Sequence, residues 1–205
     1  MLTLFDKAEC PFCWKVRFGL ALSGLAYERK PVDTSDKPAD LLALNPLGKV
    51  PVLVTEEGVI AESAEIMNWL SVFSGHDEKQ QASIRALELF SDKTIGPRIR
   101  DTIFMKRDLP QEQWDVSVFD ACQRNWRETL EELETQCLAG PWFAGDQPTL
   151  ADCALIPRFA LASFYGLTGV ESFPQLQRWF DYALRTAEMR ASAPDYILNE
   201  LQRKD

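Results

Sequence analysis

Over the first seventy residues the apolar positions fall into short runs of changing period. Leu2-Thr3-Leu4-Phe5 reads as a brief strand. From residue 13 to about 25, Trp14, Phe18, Ala21 and Leu25 form one helical stripe, and Gly24 supplies a stop signal. Residues 27–32 predict a second strand, closed by the polar run Asp33-Thr34-Ser35-Asp36. A short helix over 38–44 ends at Asn45-Pro46-Leu47-Gly48, and a third strand comes next over 50–54. Glu56-Glu57-Gly58 is a hairpin-length turn into a fourth strand, 59–61, and a helix opens at Ser63 through Ile66, Met67, Trp69 and Leu70. The order over residues 1–73 is β-α-β-α-β-β-α. Its βαβ unit pairs two strands in parallel, and the tight turn adds an antiparallel edge.

The stretch SGHDEKQQ, residues 74–81, is polar and reads as a linker. Beyond it the pattern is helical throughout 82–205, with helices expected over 82–107, 111–138, 149–165, 174–189 and 194–203. Pro110, Gly140-Pro141, Gly145-Asp146, Gly166 and Pro174 punctuate them. The chain therefore divides into an α/β domain (1–73), a linker (74–81) and an all-α domain (82–205).

Composition narrows the function. Of 205 residues, 46% are hydrophobic and 26% charged, values that allow a real core. The formal net charge of −9 disfavours non-specific binding to nucleic acid or anionic lipid. No apolar run approaches the ~20 residues that cross a bilayer, and the first residues lack the basic and apolar regions of a signal peptide. A cytoplasmic protein is the expectation. Five cysteines, three of them isolated, do not form a secreted disulfide framework.

Chemistry concentrates in AECPFCWKVR, residues 8–17. Cys10 precedes the first helix and Pro11 opens it, so the sulfur faces unpaired backbone N–H groups and the positive end of the helix dipole. Both favour the thiolate. Lys7 and Lys15 are expected to add positive potential, and Glu9 to oppose it. Cys13 lies one turn on, near enough to form a disulfide with Cys10. Structural zinc needs about four ligands, and the sequence has neither a second Cys pair nor any histidine except His76 in the linker. A Cys-His hydrolase would have to use that same solvated histidine. A redox or nucleophilic site is the stronger reading, a chance pair of cysteines the weaker.

Two further features define a partner for the sulfur. A cis bond at Val50-Pro51 would leave the Val50 backbone free to pair with an extended peptide, although an ordinary loop-to-strand proline fits the segment alone equally well. Ser63 is a good N-cap whose neighbouring N–H groups suit a carboxylate, and Glu62 beside it suits an ammonium. Simple capping explains that pair alone. Together the three features suggest a cysteine-containing peptide with a free α-amino-acid head, such as glutathione.

On these motifs the chain resembles the glutathione transferase superfamily. CPFCWKVR looks like the active-site stretch of its cysteine-type members, the omega-like transferases and the two-domain glutaredoxin-like proteins. DKPADLLALNPLGKVPVL, VIAESAEIMNWL and, in the second half, GDQPTLADCALIPRF come in the family's order. Thr149 and Asp152 have capping-box spacing, and Pro157 should kink the helix they start. The resemblance implies a thioredoxin-like first domain, a helical second domain and glutathione as co-substrate without a metal. It implies Cys10 as the catalytic cysteine, with Cys13 as a second thiol. Val50 before cis Pro51 would pair with the tripeptide backbone, and Glu62 and Ser63 would hold its γ-glutamyl head. Lys37 would reach a glutathione carboxylate, and Phe12 would line the site. A homodimer is the family's usual state.

That resemblance admits three functions. The preferred one is a glutathione-dependent thiol transferase, acting on a small thiol or disulfide through Cys10. The second is conjugation or deglutathionylation of a small electrophilic organic substrate between the domains. The third is a non-catalytic regulatory protein of the stringent-starvation type, against which Cys10 argues. Trp114, Phe119, Trp142 and Phe143 are expected to fill core rather than line a pocket.

Overall fold

The computed structural model describes residues 1–71 and 78–203. The α/β half has the expected order, β1 (Leu2–Asp6), α1 (Pro11–Leu22), β2 (Tyr27–Pro31), α2 (Ala39–Leu44), β3 (Val52–Val54), β4 (Val59–Ala61) and α3 (Ser63–Ser71). The strands form one sheet in the order β2-β1-β3-β4. β1 pairs β2 in parallel, while β1–β3 and β3–β4 are antiparallel. The 50–54 strand is shorter than expected: Pro51 offers no N–H to a ladder, and pairing begins at Val52, opposite Phe5.

The helical half contains α4 (Glu78–Phe90), α5 (Gly96–Asp108), α6 (Val116–Glu134), α7 (Leu150–Phe164), α8 (Pro174–Leu184), α9 (Ala187–Ser192) and α10 (Asp195–Gln202). Residues 78–81, expected as linker, instead form the start of α4; 74–77, with His76, lie outside the described residues. The single helix expected over 82–107 is two α-helices joined by a π-helical turn, Ser91–Ile95. One α-helix expected over 174–189 is two, because Thr186 caps a new start by accepting from the Met189 N–H at 3.1 Å. The 111–138 helix is confined to Val116–Glu134 by Asp115, whose side chain caps it, and only Gln111–Gln113 forms a 3-10 turn before it.

α1 lies at the centre. Trp14, Val16, Phe18 and Leu20 are fully buried, and α1 packs against α3, α7 and α9. One continuous apolar cluster runs from Leu4 and Phe18 through Ile99 and Leu155 to Trp179, so the two halves share a core. Phe5, Val32, Leu41 and Val52 form a smaller cluster under α2.

α7 is anchored as its spacing predicts. Thr149 accepts from the Ala151 N–H at 3.2 Å, and Asp152 accepts from the Thr149 N–H at 2.7 Å. The buried Asp152 also takes the Phe143 N–H at 2.9 Å and the Trp179 indole N–H at 2.8 Å. The helix runs on through Pro157 to Phe164. Trp142 and Phe143 are buried, whereas Lys106 lies over the rings of Trp114 and Phe119 at 5.2 and 4.4 Å.

Candidate active site at the start of the first helix

Cys10 is the N-cap of α1, in extended backbone, with Pro11 next at the first helical position. The loop before it is held from three directions by Arg17. That buried guanidinium donates to Lys7 O at 3.4 Å, Ala8 O at 2.8 Å and Ser192 O at 2.7 Å, and it is paired with the buried Asp6 carboxylate. Trp14 donates its indole N–H to Ser192 Oγ at 3.3 Å. Two successive turns of α1 thus reach one residue at the end of α9.

Cys10 is partly exposed and Cys13 fully buried behind it. The Cys13 thiol and the backbone N–H groups of Cys13 and Phe12 stabilise the Cys10 thiolate, and Arg158 adds positive charge. Against the cost of burial, they hold the Cys10 pKa down to about 7. Cys13 moves the opposite way: burial, and then its neighbour Cys10, push its thiol well above the ordinary value. The Lys7 N–H points at its sulfur at 3.4 Å.

The cation serving Cys10 is not one of the two lysines expected to do so. Lys15 is buried and bound to Glu88 at 3.0 Å and Asp92 at 2.6 Å, while the Lys7 ammonium donates to Thr34 Oγ1 at 3.1 Å. Arg158, from the middle of α7, supplies the charge. Its guanidinium pairs with Asp92 at 3.3 Å and lies over the Phe12 ring, 4.8 Å from the centre. Gly96 permits that position, since a Cβ there would stand 3.1 Å from three guanidinium atoms. Asp92 sits in the π-helical turn and so meets both Lys15 and Arg158. Glu9 is engaged elsewhere, accepting from the hydroxyls of Tyr165 and Tyr196.

Two clefts meet at Cys10, sharing Lys7, Cys10, Phe12 and Asp92 as walls. The larger, about 1050 Å³, brings Cys10 and Phe12 together with Lys37, Val50, Pro51, Glu62 and Ser63. Cys13 alone of the expected site residues is absent from it. The Val50-Pro51 bond is cis, and Val50 lies outside the ladder. Glu62 has φ +72°, a left-handed conformation that costs a non-glycine residue about 1 kcal/mol or more. It places a carboxylate at the cleft beside Ser63, the first residue of α3. Lys37 donates to Leu47 O at 3.2 Å. The smaller cleft, about 360 Å³, lies on the α5 and α7 side of Cys10. Among the described residues, no three His, Cys, Asp or Glu side chains gather as a metal ion would need, and no helix is long and apolar enough to cross a membrane.

Cys10 thus stands where two clefts meet, on a four-stranded mixed sheet fused to a helical half. Residues 9–71 match the family model for the glutathione S-transferase N-terminal domain, and 116–181 match that for the C-terminal domain. A Nicotiana tabacum protein named as a probable glutathione S-transferase is 30% identical over 195 residues, covering 90% of this chain and 84% of its own. A stringent starvation protein A homolog from Haemophilus influenzae is 27% identical over 169 residues, 77% of this chain and 73% of its own. The crystal structure of a glutathione S-transferase from Rhodospirillum rubrum superposes with a TM-score of 0.82 at 24% identity, covering 97% of this chain and 99% of its own. The chain belongs to the glutathione S-transferase family.

Arg158 and Asp92 are the site residues that sequence reasoning missed. One available signal was Arg158 itself, a charge in the otherwise apolar run after Thr149.

Proposed function

We propose that the protein is a glutathione-dependent thiol transferase using Cys10. The observation that carries this reading is the Cys10 thiol held near pKa 7 where the two clefts join. A conjugating transferase needs only to stabilise the thiolate of glutathione; a thiolate belonging to the protein is itself a nucleophile toward disulfides.

The reaction balances in two exchanges. The Cys10 thiolate attacks the glutathionyl sulfur of a mixed disulfide, forming the Cys10–glutathione disulfide and releasing the other thiolate, which takes a proton. A second glutathione, as thiolate, attacks the glutathionyl sulfur on Cys10, giving glutathione disulfide and restoring the Cys10 thiolate. In this reading the peptide lies along Val50 in the larger cleft, with its amino-acid head at Glu62 and Ser63 and a carboxylate toward Lys37. Cys13 acts chiefly as a donor to Cys10: with its own pKa raised, it is mostly thiol at neutral pH and a slow resolving nucleophile.

The test is reduction of a glutathionylated small thiol by glutathione. Turnover by wild type and Cys13→Ala, with none by Cys10→Ser, is the expected pattern; activity surviving in Cys10→Ser would sink the mechanism. The second reading, transfer of glutathione to or from a carbon electrophile, draws on the second cleft and on the tobacco relative's name. Turnover of conjugation substrates alone would favour it.

A further inference from the structure

Glu9 directly precedes Cys10, and both line the smaller cleft. A carboxylate free to turn toward a neighbouring thiolate repels it and favours the thiol. Glu9 is not free. One of its oxygens accepts from the Tyr165 hydroxyl at 3.4 Å, and the other accepts from the Tyr196 hydroxyl. The donors come from two elements: Tyr165 is the C-cap of α7, and Tyr196 lies in α10, which packs on α7. The Phe164 ring meets both tyrosine rings edge-on, at 5.1 and 5.7 Å between centres. Lys106 fixes the end of α7 by donating to Tyr165 O at 2.7 Å. Burial, and then the charge of Glu9, push the Tyr165 phenol up to about 12, so it stays a donor across the neutral range.

Helix α7 therefore serves Cys10 twice. Arg158, Leu161 and Tyr165 follow one another at three and four residues, so they share a helix face. Arg158 brings a cation to the sulfur, and about two turns further on Tyr165 engages the neighbouring anion. The other acids nearby are balanced by cations. Asp92 in the π-helical turn pairs with Lys15 and Arg158, and Glu88 on α4 pairs with Lys15. Lys7, in the same loop as Glu9, donates to Thr34, while Arg100 and Arg107 on α5 are turned to Asp101 and Asp108. Cys13 lies behind Cys10 on α1, and Glu62 borders only the larger cleft. Glu9 differs from Asp92 and Glu88 in being held by neutral hydroxyls.

We propose that Tyr165 and Tyr196 are positioning residues for the reaction at Cys10: by holding the Glu9 carboxylate they keep its charge off the sulfur, and Cys10 stays nucleophilic at neutral pH. The inference rests on the reading of Cys10 as the nucleophile.

The pH midpoint of Cys10 alkylation by iodoacetamide tests it. Tyr165→Phe/Tyr196→Phe removes the two hydroxyls and keeps both ring contacts with Phe164. The midpoint should rise by about one unit, the order of effect that a nearby carboxylate has on a partly exposed sulfur. Tyr196→Phe alone loses a hydroxyl on a half-exposed ring and spares the fold, and it should give at least about a third of that rise. In a Glu9→Gln background both rises should vanish, because no charge is released. A merely structural role of the tyrosines does not produce that cancellation. An unmoved midpoint in Tyr196→Phe, or a rise that persists in the Glu9→Gln background, overturns the proposal. The labelling uses no glutathione, so absence of thiol-transferase turnover would overturn the functional reading and leave this result standing.

Discussion

Arg158 and Phe12 are stacked, guanidinium over ring at 4.8 Å, across the boundary between the two halves of the chain. Phe12 lies two residues beyond Cys10, and Arg158 is held by Asp92. Through this contact the helical half reaches the Cys10 thiol of the sheet half, and it does so with a positive charge.

The Cys10 thiol should therefore titrate near neutrality. Iodoacetamide labelling of Cys10, located by mass spectrometry, should rise with pH around a midpoint of about 7. Because the folded pKa lies below the unfolded one, Cys10 favours the fold at alkaline pH, and that contribution is lost as pH falls through 7. In Cys13→Ala the midpoint should climb by about one unit, the worth of a hydrogen bond to a charged sulfur. An unchanged midpoint would remove Cys13 from the role given to it.

Arg158→Leu should raise the same midpoint and also weaken the fold. The change leaves Asp92, which is largely buried, with Lys15 alone, and a loss of about 2 kcal/mol is expected in urea unfolding. Arg158→Lys should restore the charge without the planar stack and fall between the two.

Glu62→Gly separates stability from function. Glycine adopts φ +72° freely, so relief of strain offsets the greater freedom of the unfolded chain, and stability should change by less than about 1 kcal/mol. Glutathione KM should nevertheless rise at least about ten-fold, as expected when a charged hydrogen bond to the ligand is lost. A large drop in stability with unchanged KM would reverse the assignment.

Asp152→Ala should be among the most damaging single changes. It strands the N–H groups of Phe143 and Thr149 and the indole of Trp179 in a buried setting, for about 3–5 kcal/mol. Denaturant melts check this. The surviving folded fraction should keep the Cys10 midpoint, since Asp152 lines neither cleft.

Local pattern made much of the fold and part of the site readable. Cys10 was legible because a strand, a proline at the first helical position and an apolar stripe succeed one another within twenty residues. Val50-Pro51 and Glu62-Ser63 were legible for the same reason: each is a junction whose residue types are restricted by backbone geometry. The electrostatics were not. Lys15 looks like an ordinary solvated helix position, yet the helical half covers it, and its partners Glu88 and Asp92 are more than seventy residues away. The π-helical turn was also hidden, since apolar residues on either side keep helical spacing and one inserted residue only shifts their phase.

That inserted residue bears on how such a site diverges. Each residue added to a helix rotates the remainder of the helix by about 100°. The turn at Ser91–Ile95 therefore sets the face that α5 shows to the second cleft independently of the face that α4 shows to the first. A lineage that deletes or adds a single residue there would turn a different set of α5 side chains toward the second cleft, while the α4 walls of the first, Ile84, Arg85 and Glu88, keep their places. The π turn is thus a joint between the walls of the two clefts, changeable by insertion length rather than by substitution.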